Sequence, residues 1–306
     1  MIKNDFYLSC KGENLHCAEW RPEGECRAVL QIVHGMVEYI ERYSAFASFL
    51  CDRGVAVVGH DHPGHGKTAR IKDDLGHIDM KSGSSLLVDC TERVAEYIRE
   101  SYPGLPRYIL GHSMGSFVVR RYMTLYSKDL AGAVVMGTGT PPTPVLFAGR
   151  IMASIVGAFK GERHPSNFLK NLSFSGYNSR FPKEEGPNAW LSRNLAEVKK
   201  YDSDPLCGYT FTAGGFRTLY DTLYSLARKN DHENIKKDLR VLIVSGADDP
   251  VGSYGKGPSD LCRLYGDLGL TDVSLKLYAG GRHEILNEVN REQVCLDIFD
   301  WITKEN

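Results

Sequence analysis

The chain has 306 residues, with 37 Lys and Arg against 38 Asp and Glu, and a formal net charge of −1. Hydrophobic residues make up 42% and charged residues 25%, which is usual for a globular protein. This balance argues against a nucleic-acid-binding protein, because phosphate contacts require an excess or a stripe of basic residues. The 16 Tyr and 12 Phe argue against a disordered chain.

The cysteines and the N-terminal residues indicate a cellular compartment. Residues 1–10 are polar and lack the apolar segment of a signal peptide. No stretch approaches the length of uncharged apolar sequence that spans a membrane. The eight cysteines are scattered without CxxC pairs, mostly in apolar segments where a free thiol packs as a small hydrophobe. We therefore expect a reduced, soluble and cytoplasmic protein.

Strand-like and helix-like segments alternate along the chain. Residues 6–20 predict a β-hairpin around Gly12 and Asn14. Runs rich in β-branched residues then recur, typical of strands buried on both faces of a parallel sheet, at 28–35, 55–64, 107–115, 132–139, 240–249 and 274–281. Between them, 82–102 predicts a helix with one apolar face, formed by Leu87, Cys90, Val94 and Ile98. A last helix is predicted to begin at His283 and to bury Val289. The sequence therefore predicts an α/β fold with a mostly parallel central sheet flanked by helices.

The interval 140–239 lacks any strand pattern of the buried type. A gap of this size inside a compact domain predicts a helical cap insertion, with the core formed by 1–139 and 240–306. The apolar run 145–159 has two interpretations: it packs in the core, or it faces an acyl chain or a membrane surface.

The motif GHSMG at 111–115 directly follows one predicted strand and precedes a helix-like run. A nucleophilic serine at such a position needs a very tight turn, so the residues two positions before and after it must be small. Gly111 and Gly115 meet this need. Ser113 is therefore the predicted nucleophile, at a helix N-terminus that stabilises developing negative charge.

A nucleophilic serine needs a base, and the base needs an acid that orients it. Three histidines follow the serine, and His283 is the one placed just after a predicted strand. His164 falls in the predicted cap, and His232 falls in the charged run 228–237, which is typical of solvated surface. For the acid, Asp249 has the preferred spacing after its strand, and Asp248 stays open as an alternative.

An oxyanion hole requires two N–H donors that point at the tetrahedral oxygen. One is expected from the residue after the nucleophile, Met114. The other is expected from the loop after an early strand, which indicates the N–H of Met36 in the sequence HGM. Only the backbone of both methionines is required.

Two further patterns are weaker signals. GHGKT at 64–68 fails as a phosphate-binding loop, because Asp61 occupies the position where its first glycine must stand. His60, His62 and His65 are spaced closely enough to suggest zinc, but no matched second group of ligands is present. We interpret them as buried, hydrogen-bonded imidazoles of a tight loop, and we expect no metal in the site.

Five motifs in order resemble the monoacylglycerol lipase and lysophospholipase branch of the α/β-hydrolases, which is often grouped with serine aminopeptidases. They are HGMVEYIERY (34–43), DHPGHGKT (61–68), GHSMGS (111–116), SGADDPVG (245–252) and GGRHEILNE (280–288). The similarity runs from about residue 27 to the C-terminus, and AWLSRN (189–194) and DPLCGYTFT (204–212) look like cap segments of bacterial members. The resemblance implies the α/β-hydrolase fold and hydrolysis of a single-acyl ester without a metal or organic cofactor. It also implies a triad and an oxyanion hole formed by Ser113, Asp249 and His283 and by the amides of Met36 and Met114.

Other functions remain open at this point. The chain could be a serine aminopeptidase or amidase acting on small peptides, or a short-chain acyl esterase. An aminopeptidase would need an anionic cluster for an α-amino group, and Glu184 and Glu185 are the only adjacent acidic pair in the predicted cap, where we expect them to be exposed. A non-catalytic scaffold would have lost a triad member. The expected partner is a small acyl ester or monoacyl lipid, without nucleic acid; transient contact of the cap with a membrane and the oligomeric state are left open.

Overall fold

An eight-stranded sheet forms the centre of the protein, in the order β1-β2-β4-β3-β5-β6-β7-β8. Our computed structural model describes residues 1–227 and 229–304, with the backbone alone at 229 and 230. The strands are β1 Ile2–Cys10, β2 Glu13–Arg21, β3 Ala28–Val33, β4 Val55–His60, β5 Arg107–His112, β6 Gly132–Met136, β7 Arg240–Gly246 and β8 Val273–Tyr278. The pairs β1–β2 and β2–β4 are antiparallel, and the others are parallel.

Helices cover both faces of the sheet. They are α1 Ser44–Cys51, α2 Gly83–Ser101, α3 Met114–Tyr126, α4 Thr143–Lys160, α5 Asn167–Phe174, α6 Leu195–Ser203, α7 Ala213–Ser225, α8 Lys229–His232, α9 Lys256–Asp267 and α10 Arg291–Thr303. Strands β3 to β7 are consequently buried at every position, as their apolar runs predict. The predicted buried face of α2 is also confirmed. These agreements confirm the α/β fold with a mostly parallel sheet.

The two edges of the sheet differ from the buried centre. At one edge, the predicted hairpin is present and longer than expected, since β1 and β2 pair from Ile2 with Arg21 to Cys10 with Glu13. At the other edge, β8 alternates between half-buried and exposed positions, and Leu277 is exposed. The prediction that this strand is buried on both faces is wrong. An edge strand has a single neighbouring strand, and Lys276 gives its open side the charge that discourages further pairing.

The last helix begins later than predicted. α10 starts at Arg291, whereas His283 lies in a loop that precedes a short 3₁₀ helix, Ile285–Asn287. Val289 is 63% exposed, so its predicted burial is also wrong. The carboxylate of Glu288 explains the delay, because it accepts the backbone N–H groups of Arg193, Arg282 and Val289 and thereby holds this loop open.

Helices occupy the interval between β6 and β7. Within the described residues, the only β-type pairing there is an isolated bridge between Pro165 and Thr212. α4 packs along α7, and α7 packs on α2 and α3, so this segment lies directly over the nucleophile helix α3. Its division from the core as a cap at 140–239 stays a prediction.

The apolar run 145–159 forms most of α4 and divides between two environments. Leu146, Gly149 and Ala153 are buried. Along its outer side, large apolar side chains are exposed, namely Val145, Phe147, Ile151, Ile155 and Phe159. By length and composition alone, α4 is the one described helix that could cross a membrane, although it carries Arg150 in its middle. Among the described residues, α4 is therefore the exception to the expectation that no segment could span a membrane.

His232 is buried, in contrast to its predicted place on a solvated surface. It is 1% exposed, and its Nε2 lies 2.8 Å from the carbonyl oxygen of Leu226. The charged run 228–237 begins outside the described residues. Within it, the side chains of His232 and Ile235 are both buried, which the alternating charges of the run do not indicate. The imidazole of His232 contacts a backbone carbonyl oxygen, and this is a structural role rather than that of a catalytic base.

Candidate active site

Ser113 lies on the turn between β5 and α3. Its backbone has φ 52° and ψ −119°, a conformation that non-glycine residues rarely adopt and that is typical of strained functional sites. A Cβ on Gly111 would lie 2.3 Å from the carbonyl oxygen of Gly115, and a Cβ on Gly115 would lie 2.0 Å from that of Val33. Both glycines are therefore required by the close approach of backbone around the serine.

His283 and Asp249 meet at the ends of β8 and β7. The Nδ1 of His283 lies 3.0 Å from the Oδ2 of Asp249, whose side chain is fully buried. Asp249 also accepts the N–H of Val251 at 2.8 Å and the hydroxyl of Ser245 at 3.3 Å. This arrangement places a proton on Nδ1 and leaves Nε2 of His283 as the basic nitrogen. Asp248 is exposed, and Asp249 is the one of the two predicted acids that contacts His283.

Ser113 and His283 line one cavity of about 790 Å³. This volume lies in the usual range for small-molecule sites. Its walls are mostly apolar and include side chains of α3, α4, α5 and α7, among them Phe117, Leu146, Met152, Phe174, Leu219 and Leu223. The structure thus brings the predicted nucleophile and base to the same chamber, beneath the helices of the interval between β6 and β7.

Met36 and Met114 also line this cavity. Neither N–H donates a hydrogen bond to another group in the described part of the chain. Val37, which follows Met36, has a φ of 53°, a strained value for a β-branched residue. Two amides that are free and held by a strained loop and a helix N-terminus are suitable donors for an oxyanion.

A buried carboxylate, Glu38, lies behind this loop. Its Oε1 accepts the N–H of Gly35 at 2.6 Å and the hydroxyl of Tyr43 at 2.9 Å. The same oxygen lies 3.0 Å from Nδ1 of His112, the residue before the serine. The ring of His112 lies against that of His283, with centroids 4.9 Å apart. Glu38 therefore connects the oxyanion loop, the nucleophile turn and the base.

The two charges of this pair stabilise each other. Burial opposes the charged form of Glu38, but the hydrogen bond with His112 and its positive charge outweigh burial and hold the pKa of the carboxyl below its usual value. Burial likewise favours neutral His112, but the hydrogen bond and charge of Glu38 outweigh it and raise the pKa of the imidazole. The pair is thus ionic, in a site where the base itself must be neutral.

Arg42 and Glu284 extend the network to the loop of His283. Arg42 donates two hydrogen bonds of 2.7 Å to the carboxylate of Glu284 and one of 2.7 Å to Glu38. Sequence reasoning assigned no role to Glu38, Arg42, His112 or Glu284. All four stand within the quoted motifs, yet spacing along the chain gave no sign that residues more than 200 positions apart form one network.

Trp190 was also missed. Its ring lies 5.0 Å from that of His283, and its carbonyl oxygen accepts the N–H of His283 at 3.3 Å. The segment AWLSRN therefore supports the base directly. The acidic pair nearby differs from expectation: Glu184 is exposed as predicted, but Glu185 is only partly exposed and pairs with Arg282 at 2.6 Å.

His60, at the end of β4, and His62 and His65, in the DHPGHG loop that follows, are buried, as predicted. Burial lowers the pKa of His60 and of His65 to about 3, so both imidazoles are neutral. His62 contacts the carbonyl of His34, and His65 that of Pro63. The expected hydrogen bonds are missing for His60, whose ring nitrogens have no partner among the described residues.

A family profile described as "Serine aminopeptidase, S33" matches residues 24–290. The chain belongs to this family. Human monoglyceride lipase is 27% identical to this hydrolase over 302 residues, which cover 97% of this chain and 89% of the human one. The monoacylglycerol lipase of Mycolicibacterium smegmatis is 26% identical, over 92% of this chain and 90% of its own. A thermostable carboxyl esterase from Bacillus coagulans, solved in complex with glycerol, matches with a TM-score of 0.88 at 24% identity, covering 99% and 98% of the two chains.

These similarities confirm the resemblance drawn from the five motifs. The S33 hydrolase has the α/β-hydrolase fold and is a carboxylic ester hydrolase, similar to the monoacylglycerol lipases. The head group, the acyl length and the roles of individual residues are matters for the following proposal.

Proposed function

We propose that this protein hydrolyses the carboxylic esters of single-acyl lipids, such as monoacylglycerols, through Ser113, His283 and Asp249. The observation that carries the proposal is the position of Ser113 and His283 in one apolar cavity of about 790 Å³. An apolar chamber of this size accepts an acyl chain, whereas the bond to be cleaved lies at its polar end beside the serine. The relatives named monoglyceride lipase support this substrate class.

The chemistry follows from the geometry. Ser113 Oγ attacks the ester carbonyl while Nε2 of His283 takes its proton, and Asp249 stabilises the imidazolium through Nδ1. The amides of Met36 and Met114 bind the oxyanion. His283 then gives the proton to the leaving alcohol, and a water molecule activated by the same imidazole releases the fatty acid from the serine.

The electrostatics of the cavity favour an ester over a peptide with a free amino group. An aminopeptidase needs an unpaired carboxylate near the scissile bond. Among the described residues that line the cavity, the carboxylates are Glu38 and Glu284, and both are already bound to Arg42. Glu185 is bound to Arg282. A peptide α-amino group would have to displace a buried guanidinium, which is a costly exchange.

The helices of 140–239 form a cap that brings substrate from a lipid surface. The exposed apolar side chains on the outer side of α4 include Phe147 and Phe159, of which Phe159 is 86% exposed. The net charge of −1 supplies no basic stripe for anionic head groups, so contact with the membrane rests on apolar insertion. Leu146, Gly149 and Met152 of α4 line the cavity, which supports a substrate entrance beside the lipid surface.

Labelling by a fluorophosphonate tests the nucleophile. The wild type should react stoichiometrically and the Ser113→Ala variant should not, whereas Ser85→Ala, a change of an exposed serine on α2, should label normally. Initial rates on monoacylglycerols of increasing acyl length, lysophosphatidylcholine, p-nitrophenyl acetate and aminoacyl anilides then define the substrate. A folded wild type that resists labelling would overturn the mechanism, and faster cleavage of anilides than of any ester would overturn the substrate class.

A further inference from the structure

A second group of ionisable side chains lies away from the cavity, where the N-terminal hairpin meets the loop after β3. Asp5 is on β1, His16 is on β2, and Glu41 is in the 3₁₀ helix Ile40–Tyr43. One donor atom from each lies within 4.8 Å of the other two. None of the three takes part in the proposed hydrolysis.

His16 shows that this group is more than a surface cluster of acids. Its side chain is 1% exposed, and Nδ1 lies 2.8 Å from Oδ2 of Asp61. Asp61 also accepts the N–H groups of Ile40 and Lys67, each at 2.8 Å. These backbone donors and the imidazole hold the Asp61 carboxylate in place against His16. Because Nδ1 faces a carboxylate, it carries a proton.

The other nitrogen of His16 is left without a partner. Nε2 is buried and makes no hydrogen bond to any residue that the structure describes, although Oδ1 of Asp5 lies 3.5 Å away. With the proton on Nδ1, a neutral imidazole presents its lone pair towards a carboxylate, which is repulsive. The unpartnered Nε2 and the neighbouring carboxylates therefore form a place where a cation can lie between the nitrogen and the acids.

We propose that Asp5, His16 and Glu41 bind a divalent transition-metal ion of the Zn²⁺ type. One imidazole nitrogen and two carboxylate oxygens are a ligand set that zinc and its neighbours accept, with water in the fourth position. Mg²⁺ and Ca²⁺ prefer oxygen ligands throughout and fit less well. Asp61 is the outer carboxylate that usually orients a ligating histidine through its second nitrogen. The ion would fasten the β1–β2 hairpin to the segment that contains Glu38 and Arg42.

A lysine competes for the same place. Nζ of Lys3 lies 2.6 Å from Glu41 and 3.7 Å from Asp5, and Lys67 lies 3.6 Å from Glu41. The ammonium group of Lys3 stands between the two acids as a cation would. Metal binding has to displace it, so removal of this competitor should strengthen the site.

Titration of chelator-treated full-length protein with Zn²⁺, followed by calorimetry, tests the site. We expect a single ion per chain and a rise in the melting temperature. Asp5 is exposed, so Asp5→Asn should fold normally and should weaken Zn²⁺ binding about tenfold or more, whereas Lys3→Gln should strengthen it. Asp238→Asn is the matched control, because Asp238 is also exposed and also pairs with a lysine two positions before it. It should bind Zn²⁺ as the wild type does.

Co²⁺ identifies the ligand atoms. The protein has eight free cysteines, and thiolate ligands would give an intense near-ultraviolet charge-transfer band that nitrogen and oxygen ligands do not. We expect a Co²⁺ spectrum without that band, and its loss in Asp5→Asn. A thiolate band, absence of stoichiometric binding, or equal affinity in Asp5→Asn and Asp238→Asn would each overturn the proposal. Ester hydrolysis needs no ion here, so failure of this site leaves the proposed function untouched.

Discussion

Arg42 and Glu284 lie 242 positions apart in the chain and form two parallel hydrogen bonds of 2.7 Å. Arg42 belongs to the segment after β3 that supplies the oxyanion loop, and Glu284 directly follows the base. The burial of both side chains makes this pair a rigid link between two separate parts of the site. A planar guanidinium is suited to such a link because its fork matches a carboxylate.

The Arg42→Lys variant should lose this geometry while keeping the charge. We expect a loss of about 1–3 kcal/mol in the free energy of unfolding. kcat should fall about tenfold or more with a smaller change in KM, because His283 would no longer be held in place. Arg99→Lys is the control, since Arg99 binds Glu92 at the surface and should change stability by no more than about 0.5 kcal/mol. Equal effects of the two substitutions would contradict the role of Arg42.

Asp248 and Asp249 are neighbours with different environments, and a pair of matched variants separates them. Asp249→Asn should lower kcat about 10⁴-fold, because the amide no longer fixes the tautomer of His283. Asp248→Asn should stay within about threefold of the wild type, since an exposed carboxylate away from the base contributes little. Steady-state rates on one monoacylglycerol decide the matter. A larger loss in the Asp248 variant would reverse the assignment of the acid.

Gly115 and Gly266 are both helical but differ in the space around them. A methyl group on Gly115 would overlap the carbonyl oxygens of Val33 and His34, so Gly115→Ala should destabilise the protein by about 3 kcal/mol or more. Gly266, in α9, has nothing within 4 Å of the added carbon. Gly266→Ala should therefore be neutral or stabilising by up to about 1 kcal/mol. Urea denaturation measures both values, and a tolerated Gly115→Ala would show that the nucleophile turn is less constrained than we describe.

The Glu38–His112 pair makes a contribution to stability that depends on pH. The pKa of His112 is raised from 6.5, so this contribution is complete below that value and disappears as the pH rises through the higher pKa of the folded state. The pKa of Glu38 is lowered, so its contribution to stability depends on pH in the opposite direction. It is present above pH 4.5 and is lost as the pH falls below that value. The stability difference between the wild type and Glu38→Gln should therefore be largest between these limits and shrink towards alkaline pH. The buried His34 and His65 occur in both proteins, and burial affects their pKa values more than the charge of Glu38 does. A difference that is constant with pH would therefore argue against the ionic pair.

The exposed apolar side of α4 predicts binding to lipid vesicles. Phe159→Ser should weaken partitioning into neutral phosphatidylcholine vesicles about thirtyfold, because insertion of a phenyl ring contributes about 2 kcal/mol. Leu125→Ser removes an apolar side chain from α3 that is 53% exposed and serves as the control. It should partition as the wild type does, and hydrolysis of a soluble short-chain ester should be unchanged in both variants. Equal partitioning of all three proteins would exclude α4 as the contact surface.

The central strands and the nucleophile turn could be predicted from the sequence because their determinants are local. Continuous apolar runs report burial on both faces, and the glycines around Ser113 report a backbone approach that only glycine permits. The order of serine, acid and histidine along the chain then left few candidates for the other two positions.

The parts that escaped prediction depend on contacts between distant segments. The carboxylate of Glu288 accepts three backbone N–H groups, and α10 therefore begins only after this loop. His232 is buried against a backbone carbonyl, which its charged neighbours in the sequence do not indicate. Glu38 and Arg42 were visible in their motif, but only the fold shows that Arg42 binds both Glu38 and Glu284. The edge position of β8 also follows from topology, since an apolar run does not show how many neighbours a strand has.

β6 and β7 are hydrogen-bonded neighbours, although the chain leaves one and enters the other more than a hundred positions later. The sheet is therefore continuous from β6 to β7, regardless of which residues connect the two strands along the chain. The intervening helices take the place of the crossover connection that usually joins neighbouring parallel strands. Most of a segment anchored in this way can change in length and sequence while the reacting groups keep their positions, with the exception of Trp190, whose carbonyl accepts the N–H of His283. Exchanging that segment between related proteins should therefore change the substrate range while the catalytic residues stay the same.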